Sequence, residues 1–280
     1  MNTNTEKNSA LDLSGSGIDD LGFIKQYKEV TRLNLNSNQI IDISPLTEMG
    51  QLTHLDLSGN PFTDLSPLGS LTGLTHLELC YNQHTDISVL SRLRQLTHLA
   101  ISGEQPLDIS PLVELRYLIV LEIKYHPLTD ISPLSRMQGL SQLRLIHTQI
   151  TDISPLAQLT GLTECQLSHN RIVDITALAG LKNLTRLSLV KNRIEDISPL
   201  SELENLKELG LSKNRIEHLA PLIPLKKLER LYLGTNHIDD YSPLFELKGL
   251  RYLHLDRGEI TAEEKEDLTR GLPGLTIYME

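Results

Sequence analysis

LTRLSLVKNRIEDISPLSELEN, residues 184–205, is one copy of a unit that recurs along almost the whole 280-residue chain. Within it Leu184, Leu187 and Leu189 precede Asn192, and Ile194, Asp196, Ile197, Ser198, Pro199, Leu200 and Leu203 follow before the next unit opens at Leu206. Alternation at Leu187 and Leu189 turns those side chains inward and sends Arg186, Ser188 and Val190 to the opposite side, which predicts a strand with one buried and one open face. Ile194 and Ile197 then return to the core. Ser198 before Pro199 suits the start of a short helical turn, because serine can cap and proline fits the first helical position. A tight 3₁₀ turn is expected there.

Units start at Val30, Leu52, Leu74, Leu96, Leu118, Leu140, Leu162, Leu184, Leu206, Leu228 and Leu250, each 22 residues after the last. A weaker unit runs from Asn8 through Leu11, Leu13, Ile18, Asp20 and Leu21, and a closing half-unit is read at Leu272, Leu275 and Ile277. Residues 1–29 are therefore a polar segment with a degenerate capping repeat, 30–271 are eleven repeats, and 272–280 are a closing strand, in one continuous domain whose neighbours contact neighbours. Twelve full units and thirteen parallel strands are expected. Strands pack more closely than the bulkier return segments, so the fold class is an α/β solenoid bent into a horseshoe, with parallel strands on the concave face and 3₁₀ turns on the convex one. Its sheet would extend about 58 Å. The last unit departs from the others at TAEEKEDLTRG, where Thr261 and Glu264 form a capping-box signature and Gly271 suits a helix end, which predicts a capping α-helix over residues 262–270.

The spacing of leucines around the asparagine resembles the leucine-rich repeat. Its 22-residue form, with DISPL at 42–46, 108–112, 130–134, 152–156 and 196–200 and DLSPL at 64–68, resembles bacterial internalin-type repeats and the repeats of a eukaryotic regulatory subunit of protein phosphatase 1. The resemblance implies the solenoid fold and protein binding on the concave face. It tilts the source towards a bacterium. Internalins are surface proteins with a secretion signal, a helical N-terminal cap and further domains, and those additions have no counterpart in this sequence.

Composition narrows the rest. Lys and Arg number 26 against 36 Asp and Glu, and a net charge of −10 argues against nonspecific attraction to nucleic acid or anionic membranes. No tryptophan and three phenylalanines leave a core of leucine and isoleucine and few stacking platforms for bases. MNTNTEKNSA lacks the basic and apolar regions of a secretory signal, and no stretch is long and apolar enough to span a membrane. Cys80 and Cys165 lie four units apart, roughly 20 Å at the usual strand spacing, so both are expected as free thiols in a reducing cytoplasm. A secreted protein whose signal has been removed is the alternative. After LPGLTIYME no linker or tail is expected. There is no nucleophile motif or glycine-rich phosphate loop, and Cys80 has no evident activating neighbour, so no enzyme activity and no cofactor are expected. His54, His76 and His98 form a ladder beside Asp56 and Glu78, but parallel strands aim these side chains in parallel whereas zinc needs convergent ligands, so no metal is expected.

Candidate binding residues come from the open face, where equivalent positions of successive units stand side by side. The repeat asparagine is present at 38, 60, 82, 170, 192, 214 and 236, while Glu104, His126 and Thr148 replace it in the middle; His84 and Pro106 replace a core isoleucine and Val89 the usual proline. These units are either adapted to a partner or drifted. In the units from 140 to 206 the open face carries seven cations, Arg144, Arg171, Arg186, Lys191, Arg193, Lys213 and Arg215, against Glu164 and Glu208. His169, Lys191 and Lys213 form one column, with His147 beside it, and Arg171, Arg193 and Arg215 form another. An acidic partner would relieve their repulsion, unless Glu195 and Glu217 already neutralise Arg193 and Arg215. Tyr81, Ile119, Val120, Tyr125, Ile146 and Val190 supply an apolar centre. The expected function is a non-catalytic scaffold, expected to be monomeric, that captures a protein with an acidic surface; a regulatory subunit acting on an enzyme such as a phosphatase, or a secreted internalin-like adhesin, are the alternatives.

Overall fold

The computed structural model describes residues 9–279; the polar start up to Asn8 and the final Glu280 lie outside the described residues. The chain divides into two compact units, Met1–Leu140 and Ser141–Glu280. In the first, β1 (Ala10–Asp12), β2 (Arg32–Asn34), β3 (His54–Asp56), β4 (His76–Cys80), β5 (His98–Ser102) and β6 (Val120–Lys124) pair in parallel in chain order. In the second, β7 (Gln142–Ile146), β8 (Glu164–Gln166), β9 (Arg186–Ser188), β10 (Glu208–Gly210), β11 (Arg230–Tyr232), β12 (Tyr252–Leu255) and β13 (Thr276–Met279) do the same. These are the thirteen strands expected of a leucine-rich-repeat solenoid.

Alternation works as read: Leu187 and Leu189 are buried while Ser188 and Val190 stay on the open side. Pairing joins residues 22 apart, as Leu33 to Leu55 and Leu187 to Leu209, so like stacks on like and each leucine row is continuous within its unit. Buried asparagines close the bend at positions 38, 60, 82, 170, 192 and 214. Asn60 Nδ2 donates to the Leu35 and Leu57 carbonyls at 2.9 and 3.0 Å, while its Oδ1 accepts from Ile40 N–H at 3.1 Å. One side chain thereby satisfies backbone groups of two repeats that the bend leaves without ladder partners.

The return segments are 3₁₀ turns such as Ser198–Glu202, but serine does not cap them. Asp196 does: its Oδ1 accepts from Ser198 N–H at 2.8 Å and its Oδ2 from the Ser198 hydroxyl at 2.9 Å. The aspartate two residues upstream reaches the N–H that the serine's own side chain would have to double back to meet. These two bonds hold the Asp196 carboxyl below the usual carboxylate range.

Two other expectations change. Pro106 is exposed and does not enter the core; Leu107, one residue on, is buried in its place and its N–H reaches Pro127 O at 3.3 Å. The closing half-unit also slips: Leu253 pairs with Ile277 and not with Leu275. The cause is α1 (Ala262–Gly271), a ten-residue α-helix where other repeats make a 3₁₀ turn, so the strand begins two residues late. Gly271 is needed at its end, because a Cβ there would stand 2.5 Å from the Phe245 ring. The capping box is formed, with Glu264 N–H donating to Thr261 Oγ1 at 3.1 Å and Thr261 N–H to Glu264 Oε2 at 2.7 Å. Thr261→Ala should cost about 1 kcal/mol and be read as faster amide exchange in the first turn of α1; unchanged exchange would mean that packing alone holds the helix.

Candidate protein-binding face

Most strands lead into a bend whose residue before the asparagine position lies in the left-handed region. Tyr81, Tyr125, His147, His169, Lys191 and Lys213 all have φ between 57° and 64°. A side chain disfavours this conformation, and the next repeat compensates: Lys191 N–H donates to Ser212 O, His169 N–H to Val190 O, and Tyr81 N–H to Ser102 O. Where this residue is not a glycine, the bend displays its side chain along the edge of the open face.

In the first unit that edge carries Tyr81 and Tyr125, 68% and 43% exposed, whose rings approach to 6.4 Å across the intervening repeat. Gly103 stands between them, where a Cβ would lie 2.6 Å from the His126 ring. His126 occupies the repeat-asparagine position and donates from Nδ1 to Gln105 O at 2.6 Å, which leaves its buried Nε2 unpartnered. His84 is buried at a core isoleucine position with neither ring nitrogen hydrogen-bonded, and burial, then the nearby His126, pushes its pKa down to about 4. Ile119 stands just ahead of β6, in the row that Thr53, Thr75 and Thr97 occupy in other repeats, while Val120 is on the strand itself. On the strand face His54, His76 and His98 stack at 4.0 and 4.1 Å with planes within 12° of parallel, and among the described residues no group of three or more metal-ligating side chains is placed to hold an ion.

In the second unit the strand-face charges pair in a row, three arginines against two glutamates. Arg186 pairs with Glu164, Arg144 lies 3.6 Å from the same carboxylate, and Arg230 Nε donates to Glu208 at 3.0 Å. The excess charge is left on the edge. Arg215 meets Glu195 at 3.3 Å in an exposed pair, whereas among the described residues Glu217 neutralises no cation and Arg171, Lys191, Arg193 and Lys213 have no carboxylate partner. Of the alternative neutralisation by Glu195 and Glu217, the part made is the Glu195 pair with Arg215. Exposed pairs such as Arg215 with Glu195 contribute little, so the edge keeps its positive character. His147 and His169 stack at 3.9 Å, and desolvation, then His147 and the two lysines, lowers the His169 pKa. Ile146 ends β7 and Val190 follows β9, both half-buried beside this edge.

One feature of this unit escaped the sequence reading. Gly210 leaves a depression of about 250 Å³ on the strand face, floored by Ser188 and Val190 and walled by Tyr232. Tyr232 stands 5.4 Å from Tyr252, which stacks on Tyr278 at 4.6 Å. A glycine inside a strand was the available signal.

Models of leucine-rich repeats match residues 50–92, as two copies, and residues 160–216 and 182–238. An internalin of Listeria monocytogenes, InlF, is 34% identical over 97% of this chain and 79% of its own, with a TM-score of 0.87. The functional domain of InlJ from the same bacterium is 21% identical, with a TM-score of 0.75 over 97% of this chain and 63% of its own. A leucine-rich-repeat protein of Leptospira interrogans is 20% identical, with a TM-score of 0.64 over 97% and 96% of the two chains. These last two share the fold alone. A search of curated protein sequences gave no match.

Proposed function

Because the chain belongs to the internalin family of leucine-rich-repeat proteins, a fold that serves as a scaffold for protein–protein interaction, we propose that it is a non-catalytic binder that captures a protein partner on the open face of its sheet. The observation that carries this reading is the row of cations without carboxylate partners on the edge of the second unit, Arg171, Lys191, Arg193 and Lys213. Like charges one strand spacing apart, ~4.8 Å, repel one another, and an acidic surface docking there removes that repulsion. Val190, Ile146 and the Gly210 depression supply apolar contact beside the charges, and Tyr81 with Tyr125 does so in the first unit. A standard interface needs ~800 Å² from each partner, within reach of such a face.

The test is capture by the tagged chain, with and without Lys191, Arg193, Lys213 and Arg215 reversed to glutamate. The reversed variant should lose the partner while its circular dichroism is unchanged. Equal capture would remove the electrostatic part of the reading. Family membership also favours the adhesin alternative over a cytoplasmic scaffold, so lysate of the source cell and surface proteins of a contacted cell are both offered as bait. A partner found only among the latter supports a surface or secreted site of action; one found only in the source lysate supports the cytoplasmic one. A captured enzyme whose turnover changes on binding would support the regulatory-subunit alternative.

A further inference from the structure

A chain of hydrogen bonds in the first unit fixes the direction of three imidazoles. Thr53 Oγ1 lies 3.0 Å from the Thr31 carbonyl oxygen, Thr75 Oγ1 3.0 Å from that of Thr53, and Thr97 Oγ1 3.0 Å from that of Thr75. Two oxygens at that distance need a proton between them, and only the hydroxyl has one, so each threonine proton is committed to a carbonyl. The same hydroxyl oxygens lie 2.9, 2.9 and 2.8 Å from Nδ1 of His54, His76 and His98. With its proton used, each hydroxyl can only accept. Nδ1 therefore carries the ring proton, and Nε2 is a bare acceptor in all three rings.

Stacking turns three tautomers into one surface. Ring centroids 4.0 and 4.1 Å apart place the Nε2 atoms in a row of acceptors that offers no donor. The row borders a groove of about 480 Å³ whose other charged walls are Asp12, Asp56 and Glu78, with Arg32 as its single cation. Burial, then the neighbouring Asp56 and Glu122 carboxylates, raises the Glu78 carboxyl pKa. On the adjacent β6, Glu122 pairs with Lys124 at 2.6 Å. Parallel acceptors do not converge on a metal ion, but a planar guanidinium carries five N–H donors in a fixed fork and stacks on a flat ring.

We propose that this face of the first unit binds arginine side chains of a basic segment on the protein partner, their N–H groups donating to the imidazole Nε2 row and to Asp56 and Glu78. The inference rests on the reading that the open face captures a protein. It adds the chemistry of a second contact: the first unit selects a basic segment, as the edge of the second selects an acidic one. Thr53, Thr75 and Thr97 are positioning residues that never touch the ligand.

The experiment uses the full chain, nitrogen-15 spectra of the imidazoles, and titration with an acetylated tetra-arginine amide at low salt. The three rings should show a proton on Nδ1 at neutral pH, and the peptide should shift their resonances. Thr75→Val, which keeps the shape but removes the acceptor for the His76 Nδ1 proton, should weaken the peptide about tenfold. Glu78→Gln, an exposed change with little risk to folding, should weaken it as well. Acidification should lower the affinity only well below the ordinary histidine range, because burial holds all three imidazoles neutral past it, His76 down to about 4, and only then does a proton on Nε2 turn acceptor into cation. A proton found on Nε2, equal peptide binding by wild type and both variants, or a tetra-glutamate amide bound as tightly would each overturn the proposal. The two readings fail separately: loss of tetra-arginine binding leaves charge-dependent capture by the second unit standing. Capture that ignores the reversed cations leaves this groove standing.

Discussion

Asn60→Ala should destabilise the chain by roughly 2–3 kcal/mol. The side chain is buried, and its amide joins four backbone groups: Leu35 O, Leu57 O, Ser58 O and Ile40 N–H. Truncation leaves Ile40 N–H without a partner in an apolar interior, while Asn38 Nδ2 and Asn82 Nδ2 still donate to Leu35 O and Leu57 O. Asn82 provides the internal comparison. Its Nδ2 donates at 2.9 Å to Leu57 O and at 2.9 Å to Asn60 O, but its Oδ1 has no partner. Asn82→Ala should therefore cost clearly less than Asn60→Ala. Urea unfolding of both variants measures the difference, with the slope against denaturant checked for constancy, since a repeat stack can lose cooperativity when one rung is weakened. Equal small losses would mean that water replaces the asparagine at both bends.

The reason this ladder was legible in the sequence also explains what was not. An asparagine every 22 residues between buried leucines announces itself by period, and so did the strands, the 3₁₀ turns and the capping box of α1. Periodicity carries no sign of how a repeat interacts with the particular side chain one strand away. Arg186 counted as part of a basic patch until Glu164 of the adjacent strand was found against it. Lys191 and Tyr125 gave no hint of left-handed backbone, because a hydrogen bond to the following repeat, and not a glycine, stabilises that conformation at Lys191. The histidine ladder was visible as LTHL, while the tautomer that gives it a chemical polarity depends on threonine carbonyl distances that only coordinates supply. The slip of β13 has the same origin: the helix was read, but not the two residues by which it outruns a 3₁₀ turn.

His84→Ile should stabilise the chain, by roughly 1–3 kcal/mol at neutral pH, and the gain should grow as the pH falls. The neutral part follows from burial. His84 is 2% exposed, both ring nitrogens lack a partner, and a neutral imidazole must still carry one N–H, so a donor is left unsatisfied among leucines. Isoleucine, which the equivalent positions Ile40 and Ile194 already use, has a similar volume and nothing to satisfy. The pH dependence follows from linkage. Burial first, and the neighbouring His126 second, lowers the folded-state pKa of His84 to about 4. An unfolded histidine titrates near ~6.5, so above that pH both states are neutral and the residue adds no slope. Between about 6.5 and about 4 the unfolded state takes up a proton that the folded state refuses, and stability falls by ~1.4 kcal/mol per pH unit, about 3 kcal/mol in all. Isoleucine removes that slope. Urea unfolding of wild type and variant across this range should therefore show a gap that widens towards acid; a gap independent of pH would mean that His84 is protonated in the folded chain or reaches solvent through the loop at Gly103–Pro106. His126 behaves in the same direction, with its pKa lowered by burial and partly restored by the bond to Gln105 O, so His84→Ile should keep the part of the acid slope that His126 contributes.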